Sequence, residues 1–514
     1  MATSEPTTQD SAEARPSSGM VNARAGQRAE SRMLIGGKLV EAADGHRFDN
    51  FSPATGQLLG TTAAGTVADM DNAIACARSA FDDTTWSTDI ALRRRCLQQL
   101  QQALEAEREE IRDELVAEAG APVMTTNIAQ LDWPLADSLR YPVELLDSFQ
   151  WERELAGGGA GGEDNHRVVW KEALGVIAAI APWNFPFEIV MNKLGQALAT
   201  GNTVVVKPDP NTPWTATRIG RLIAEKTDIP AGVVNIVPTP DNRVAEALVA
   251  DPRVDMISFT GSTAVGKQIA RVAAESLKRV FLELGGKSAT VVLDDADLTQ
   301  VIPTMLQVCL HAGQGCGINT RLVVPNAKFD DAVNRVTELF EMIAPGDPAL
   351  PETFLGPVIN ARQQERILGY VERARAAGAE ITVGGKAPTD LPAEIAGGSY
   401  VLPTVVVGVN NSAEIAQNEV FGPVLVVLGY DGDDEALQIA NGTEYGLSGT
   451  VCSESTERAL AFARKVRAGT VTVNGGTYYG PDAPFGGYKC SGLGRQNGLE
   501  GFEQYLETKA VGYT

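Results

Sequence analysis

The chain has 514 residues, 44% of them hydrophobic and 21% charged, too long for one compact core and too apolar for a disordered or fibrous protein. Its 43 Lys and Arg against 65 Asp and Glu leave a formal charge of -22, which disfavours nucleic-acid phosphates and anionic lipid surfaces as partners. No apolar run approaches the roughly 20 residues needed to span a bilayer, so neither nucleic acid nor a membrane is an expected partner.

Residues 1–32 are rich in Ser, Thr, Ala and Glu, lack the apolar stretch of a secretory signal, and mix four arginines with Glu5, Asp10, Glu13 and Glu30. They read as a disordered tail on a cytoplasmic protein. The six cysteines are scattered, with no CxxC pair and no histidine cluster, which points to a reducing compartment and no metal site. After a strand-like start at Leu34 and Ile35, apolar residues recur at spacings of three and four over 68–81 and 90–119. These read as amphipathic helices covering a sheet. Residues 149–171, Gly-rich at 157–162, read as a hairpin with a flexible tip.

From 175 to 293, apolar β-branched runs alternate with helical stretches, the mark of βαβ units and a parallel sheet. Strands are expected at 176–181, 203–206, 233–237 and 256–259, and helices beginning near Thr212, Asn242 and Thr263. A second alternating region, reaching to 472, opens with a strand at 289–293, a helix at 298–312 and a strand at 321–325. The class is α/β, and ligands of such sheets bind beyond the carboxyl ends of the strands.

Five segments at such places carry chemistry. Gly313-Gln314-Gly315-Cys316-Gly317 leaves a sulfur accessible between small residues, as a nucleophilic thiolate needs. Glu283 ends an apolar strand beside Gly285 and Gly286, where burial raises a carboxyl toward the range of a general base. Asn184 sits in a turn rich in proline and aromatic residues after a strand and can donate to an oxyanion. Lys207 ends another strand, and Thr260-Gly261-Ser262-Thr263 joins a strand to a helix start, an arrangement suited to an anion. Taken singly, each also fits a structural residue.

Together, in their order along the chain, the five resemble the signatures of the aldehyde dehydrogenase superfamily, as do Glu419-Val420-Phe421-Gly422-Pro423 and Pro484-Phe485-Gly486-Gly487. The resemblance covers the chain from about Met33. It implies a Rossmann-like cofactor domain (33–148 and 172–287), a second α/β catalytic domain (288–480) and a small β oligomerisation element (149–171 and 498–514), in a homodimer or homotetramer. By this resemblance Cys316 is the nucleophile, Asn184 with the Cys316 amide forms the oxyanion hole, Glu283 is the base and Lys193 belongs to a proton relay. The cofactor, NAD with NADP as the alternative, would meet Ser262 and Gly261 at its pyrophosphate, Lys207 and Glu419 at its riboses, and Trp183, Thr260 and Phe421 near the nicotinamide. Retention of Glu283 resembles the hydrolytic branch, whose product is a free acid. The alternatives are acyl transfer to coenzyme A and a non-catalytic dinucleotide-binding protein.

The match frays in places. Pro210 stands where the family usually has a glutamate, with Asp209 before it, and Thr239-Pro240-Asp241 replaces glycines. Gln496 stands in place of a relay glutamate, and His311 and Asn192 in place of asparagine and tryptophan. The small residues around Cys316 suggest a roomy tunnel walled by Phe185, Met191, Asn192, Tyr479 and Phe485. A bulky or long apolar aldehyde, rather than a charged semialdehyde, is the expected substrate.

Overall fold

Runs of Val, Ile and Ala become the inner strands of two parallel sheets in the computed structural model, which describes residues 16–156 and 164–514. The larger sheet has eight strands in the order Gly492–Leu493, Arg279–Glu283, Met256–Thr260, Val176–Ile180, Thr203–Lys207, Val234–Ile236, Met33–Ile35 and Lys38–Val40. The five from Arg279–Glu283 to Val234–Ile236 run parallel. From Val176–Ile180 the chain steps outward through Thr203–Lys207 to Val234–Ile236, then crosses back to lay Met256–Thr260 on the other side. The strand order therefore reverses between Val176–Ile180 and Met256–Thr260, and a crevice opens at the carboxyl ends of a sheet at such a point. Register pairs Thr260 with Glu283 and Ile180 with Lys207 at that edge.

The second sheet runs Glu380–Val383, Thr404–Val407, Val424–Tyr430, Asn319–Pro325, Ser288–Val292, Ser448–Cys452 and Thr470–Val473, and only its first strand is antiparallel. Residues left over from these two sheets form a third, in which Leu506–Tyr513 pairs antiparallel with His166–Ala173, and that strand with Glu152–Glu154. The expected hairpin tip at 157–162 lies outside the described residues. No helix among the described residues is long and apolar enough to cross a membrane.

Three expectations need correction. The single helix over 90–119 is two, Ile90–Ala106 and Arg108–Glu118, broken at Glu107. The helix over 298–312 is a single α-helical turn, Leu298–Val301, followed by 3-10 turns. Pro303 lacks the N–H that an α-helix would need there, and His311, Ala312 and Gly313 take positive φ of 45°, 52° and 71°, which no right-handed helix tolerates.

The third concerns the tail. Ser18–Arg28 is a helix capped by Ser17, and its Val21 and Ala25 are buried with Val116, Ala117 and Trp214. Ser18 donates its backbone N–H and its hydroxyl to Asp347 at 2.9 and 2.5 Å, and Arg24 grips Asp113 with two hydrogen bonds. The polar composition masked a stripe only two residues wide, since Val21 and Ala25 are four apart. Val21→Ser should cost about 2 kcal/mol and lower the midpoint of thermal unfolding. An unaltered midpoint would show that the helix does not pack there.

Candidate functional site

The loop carrying Cys316 is fixed before the cysteine is reached. At Gly313 φ is +71°, and an added Cβ would lie 2.2 Å from the Gly422 carbonyl oxygen, so only glycine fits. Gln314 then ties the loop down: its Nε2 donates to the His311 carbonyl at 3.0 Å, and its Oε1 accepts from the Ile359 N–H at 2.9 Å. Asn184, in the turn after Val176–Ile180, donates from Nδ2 to the Gln314 carbonyl at 2.8 Å, while its own carbonyl accepts from Gln130 Nε2 at 2.8 Å. A primary amide carries two hydrogens, so one remains for another acceptor. Gly286 packs against the Cys316 carbonyl, where a Cβ would sit 2.5 Å away.

Cys316 is partly accessible. Burial first, then the carboxylates of Glu283, Glu419 and Glu188, hold its thiol well above the ordinary range, against a hydrogen bond from the Gly317 backbone. The resting residue is therefore a thiol, and its nucleophilic form must be generated within the site.

Glu283 is the last residue of its strand and only 5% exposed. Neither carboxylate oxygen has a hydrogen-bond partner among the described residues. Burial pushes the group up to about 8, against the pull of Lys193 and Arg495. Lys193 lies deeper: its Nζ donates to Ser258 Oγ at 3.0 Å and sits 5.1 Å from the Phe281 ring centre, and burial pushes it down to about 7. It is not among the residues lining either cavity. The Gln496 amide is taken up by the Asn192 carbonyl at 2.9 Å and Gln196 Oε1 at 2.7 Å.

Two cavities meet at Cys316, and Asn184, Thr260, Glu283 and Cys316 line both. One, of about 240 Å³, extends past Trp183, Gly261, Ser262, Glu419 and Phe421. Ser262 caps the helix Thr263–Ala274, whose free N–H groups favour an anion. A Cβ at Gly261 would lie 2.5 Å from the Phe259 ring, and one at Gly285 2.4 Å from Glu419, so the floor stays low. Glu419 accepts from the Gly286 N–H at 2.9 Å, and Trp183 meets Phe421 edge-on with ring centres 5.4 Å apart. An anion-binding helix end, a low glycine floor, a carboxylate for hydroxyls and two aromatic rings fit a dinucleotide. Lys207 ends its strand outside this lining.

The other cavity, of about 290 Å³, is lined by Phe185, Asn192, Tyr479 and Phe485 as expected from the sequence. Met191 is a correction: it is 1% exposed and belongs to the core beneath the sheet. Phe185, Glu188, Ile189 and Asn192 share the cavity-facing stripe at spacings of three, four and seven, and Met191 falls off it. That spacing would have found Glu188, which the sequence reading missed, along with Tyr478.

Residues 39–511 match the model of the aldehyde dehydrogenase family. The 3-succinoylsemialdehyde-pyridine dehydrogenase of Pseudomonas sp is 38% identical over 484 residues, 93% of this chain and 97% of that protein. Among solved structures, the P. syringae AldA indole-3-acetaldehyde dehydrogenase in complex with NAD+ and IAA is 37% identical with a TM-score of 0.91, covering 97% of this chain and 99% of that one. The Mycobacterium tuberculosis aldehyde dehydrogenase complexed with NAD+ is 35% identical with a TM-score of 0.89, covering 94% and 97%.

The charge around Cys316 is open to direct test. The pH midpoint of iodoacetamide labelling at Cys316 should lie above that of a free thiol and fall in Glu283→Gln, which removes a neighbouring negative charge. An unmoved midpoint would mean that Glu283 does not face the sulfur.

Proposed function

The chain belongs to the aldehyde dehydrogenase family and is an NAD-dependent enzyme that oxidises an aldehyde; we propose that it does so through a thioester on Cys316 that water releases as the free acid. The observation that carries this reading is the meeting of Cys316, Asn184 and Glu283 where the two cavities join.

The first requirement is a thiolate. With its thiol held high, Cys316 must pass its proton to a base, and the unpartnered carboxylate of Glu283 is suited to receive it. The sulfur then bonds to the aldehyde carbon, and the carbonyl oxygen takes on negative charge. Asn184 offers its remaining amide hydrogen to that oxygen, together with the Cys316 backbone N–H. NAD, when held by the neighbouring cavity, would supply the acceptor for the hydride lost from the carbon, and the thiohemiacetal on Cys316 would become a thioester. Glu283 releases to solvent the proton it took from Cys316 and, ionised again, takes a proton from water, which attacks the thioester; the C–S bond breaks, and the acid leaves as Glu283 returns that proton to the Cys316 thiolate.

Ser262 and Gly261 would hold the pyrophosphate, Lys207 the adenosine ribose, Glu419 the other ribose, and Trp183, Thr260 and Phe421 the nicotinamide end. Lys193 would set the electrostatics of Glu283 from below, through charge rather than through a relay, because the Gln496 amide is already committed. We assign cofactor binding to the eight-stranded sheet with its helices, catalysis to the seven-stranded one, and pairing with further copies, as a homodimer or homotetramer, to the three-stranded sheet, whose edge strand Leu506–Tyr513 is mostly exposed. The six free cysteines support a cytoplasmic setting. Walls of Phe185, Tyr478 and Phe485 favour a bulky substrate body, and the similarity to enzymes named for indole and pyridine aldehydes points the same way.

Cys316→Ala should abolish cofactor reduction with every aldehyde. Glu283→Gln should lower steady-state turnover about 10²–10⁴-fold. Its own pKa gives a pH signature: a base works only when ionised, so wild-type turnover should rise as pH passes about 8, and this rise should vanish in Glu283→Gln. Cofactor reduction persisting in Cys316→Ala would defeat the covalent mechanism.

A further inference from the structure

The larger cavity holds a second carboxylate that the chemistry does not use. Glu188 lies one turn along the helix Pro186–Ala199 from Phe185 and lines the same cavity as Glu283. The Tyr479 hydroxyl donates to Glu188 Oε1, and the Asn192 side chain supplies a second bond. Asn192 is steadied in turn by the Ser138 hydroxyl at 2.8 Å, and Tyr479 packs on Trp133 with ring centres 5.7 Å apart. The carboxylate is thus held in one place by neutral groups. Among the described residues, no Lys, Arg or His lines this cavity, so the wall offers negative charge with no cation of its own to answer it. Burying a carboxylate without a counter-charge is costly, and a hydrophobic residue would have walled the tunnel without that cost.

We propose that Glu188 selects the substrate: its carboxylate receives a protonated amine at the end of the aldehyde remote from the carbonyl, and turns away aldehydes that carry a second carboxylate. This rests on the reading of the cavity as the aldehyde's entry. An ammonium group would supply the missing counter-ion, and a charge-assisted hydrogen bond is stronger than a neutral one. A carboxylate-bearing aldehyde would place like charges together. The expected apolar substrate is thereby refined to one with an apolar body between two polar ends.

Three aldehydes of one length separate the possibilities: ω-aminohexanal, hexanal and adipic semialdehyde. In the wild type, kcat/KM should favour the amine over hexanal by about 10–100-fold, with the semialdehyde last. Glu188→Leu should erase the amine preference and raise the semialdehyde relative to hexanal. Glu188→Gln, which keeps an acceptor for Tyr479, should erase most of the preference while guarding against a folding defect. A wild type that treats amine and hexanal alike, or a preference that survives both substitutions, would overturn the proposal. Hexanal oxidation that Cys316→Ala abolishes would leave the dehydrogenase reading standing in either case.

Discussion

The side-chain amide of Asn184 donates to the Gln314 carbonyl across 2.8 Å, and that contact joins a turn at the edge of the eight-stranded sheet to the loop feeding the seven-stranded one. The cysteine lies two residues beyond Gln314 and the free amide hydrogen stays on Asn184, so one bond sets nucleophile and oxyanion donor relative to each other. Both partners are buried, so a lost partner would leave an unpaired polar group costing about 1–3 kcal/mol. The left-handed run from His311 to Gly313 is strain of the kind that surrounding structure must hold in place at working sites, and Gln314 supplies part of that restraint.

Charge is arranged around this pin with economy. Glu283, Glu419 and Glu188 all surround Cys316, and all three are pushed up by burial, to about 8, 7 and 7. Three acids near one thiol discourage a standing thiolate, which keeps an accessible sulfur from reacting before substrate arrives. The same acids differ in company: Glu419 is tied to a backbone N–H, Glu188 to a phenol, and Glu283 to no partner among the described residues. Partnership thus separates a binding group from a base more clearly than the shifts do.

Much of this was legible in the sequence. The six strands given bounds, four in the larger sheet and those at 289–293 and 321–325 in the second, fell within two residues of them, because β-branched runs closed by Gly and Pro have few other folds. The helices Asn242–Ala250 and Thr263–Ala274 begin at the expected residues, capped by Asp241 and Ser262. What escaped was information carried by tertiary contact. The packing of Val21 and Ala25 on Trp214 is invisible in a polar composition, and the left-handed residues after Pro303 appear only when the loop meets Gly422. Glu188 was hidden because a glutamate in an amphipathic helix usually faces water, and only the stripe shared with Phe185 and Asn192 turns it inward. The motif residues were found through their company in the chain, since each alone fits a structural role.

The central claim is a covalent bond between Cys316 and the acyl group, and the most direct measurement is mass spectrometry of Glu283→Gln quenched in acid after mixing with NAD and an aldehyde. The account predicts a mass increase over the free-thiol form equal to the aldehyde less two hydrogen atoms, located on the peptide containing Cys316 and removed by hydroxylamine. Stoichiometric reduction of NAD with no adduct, or with the adduct on another cysteine, would contradict it.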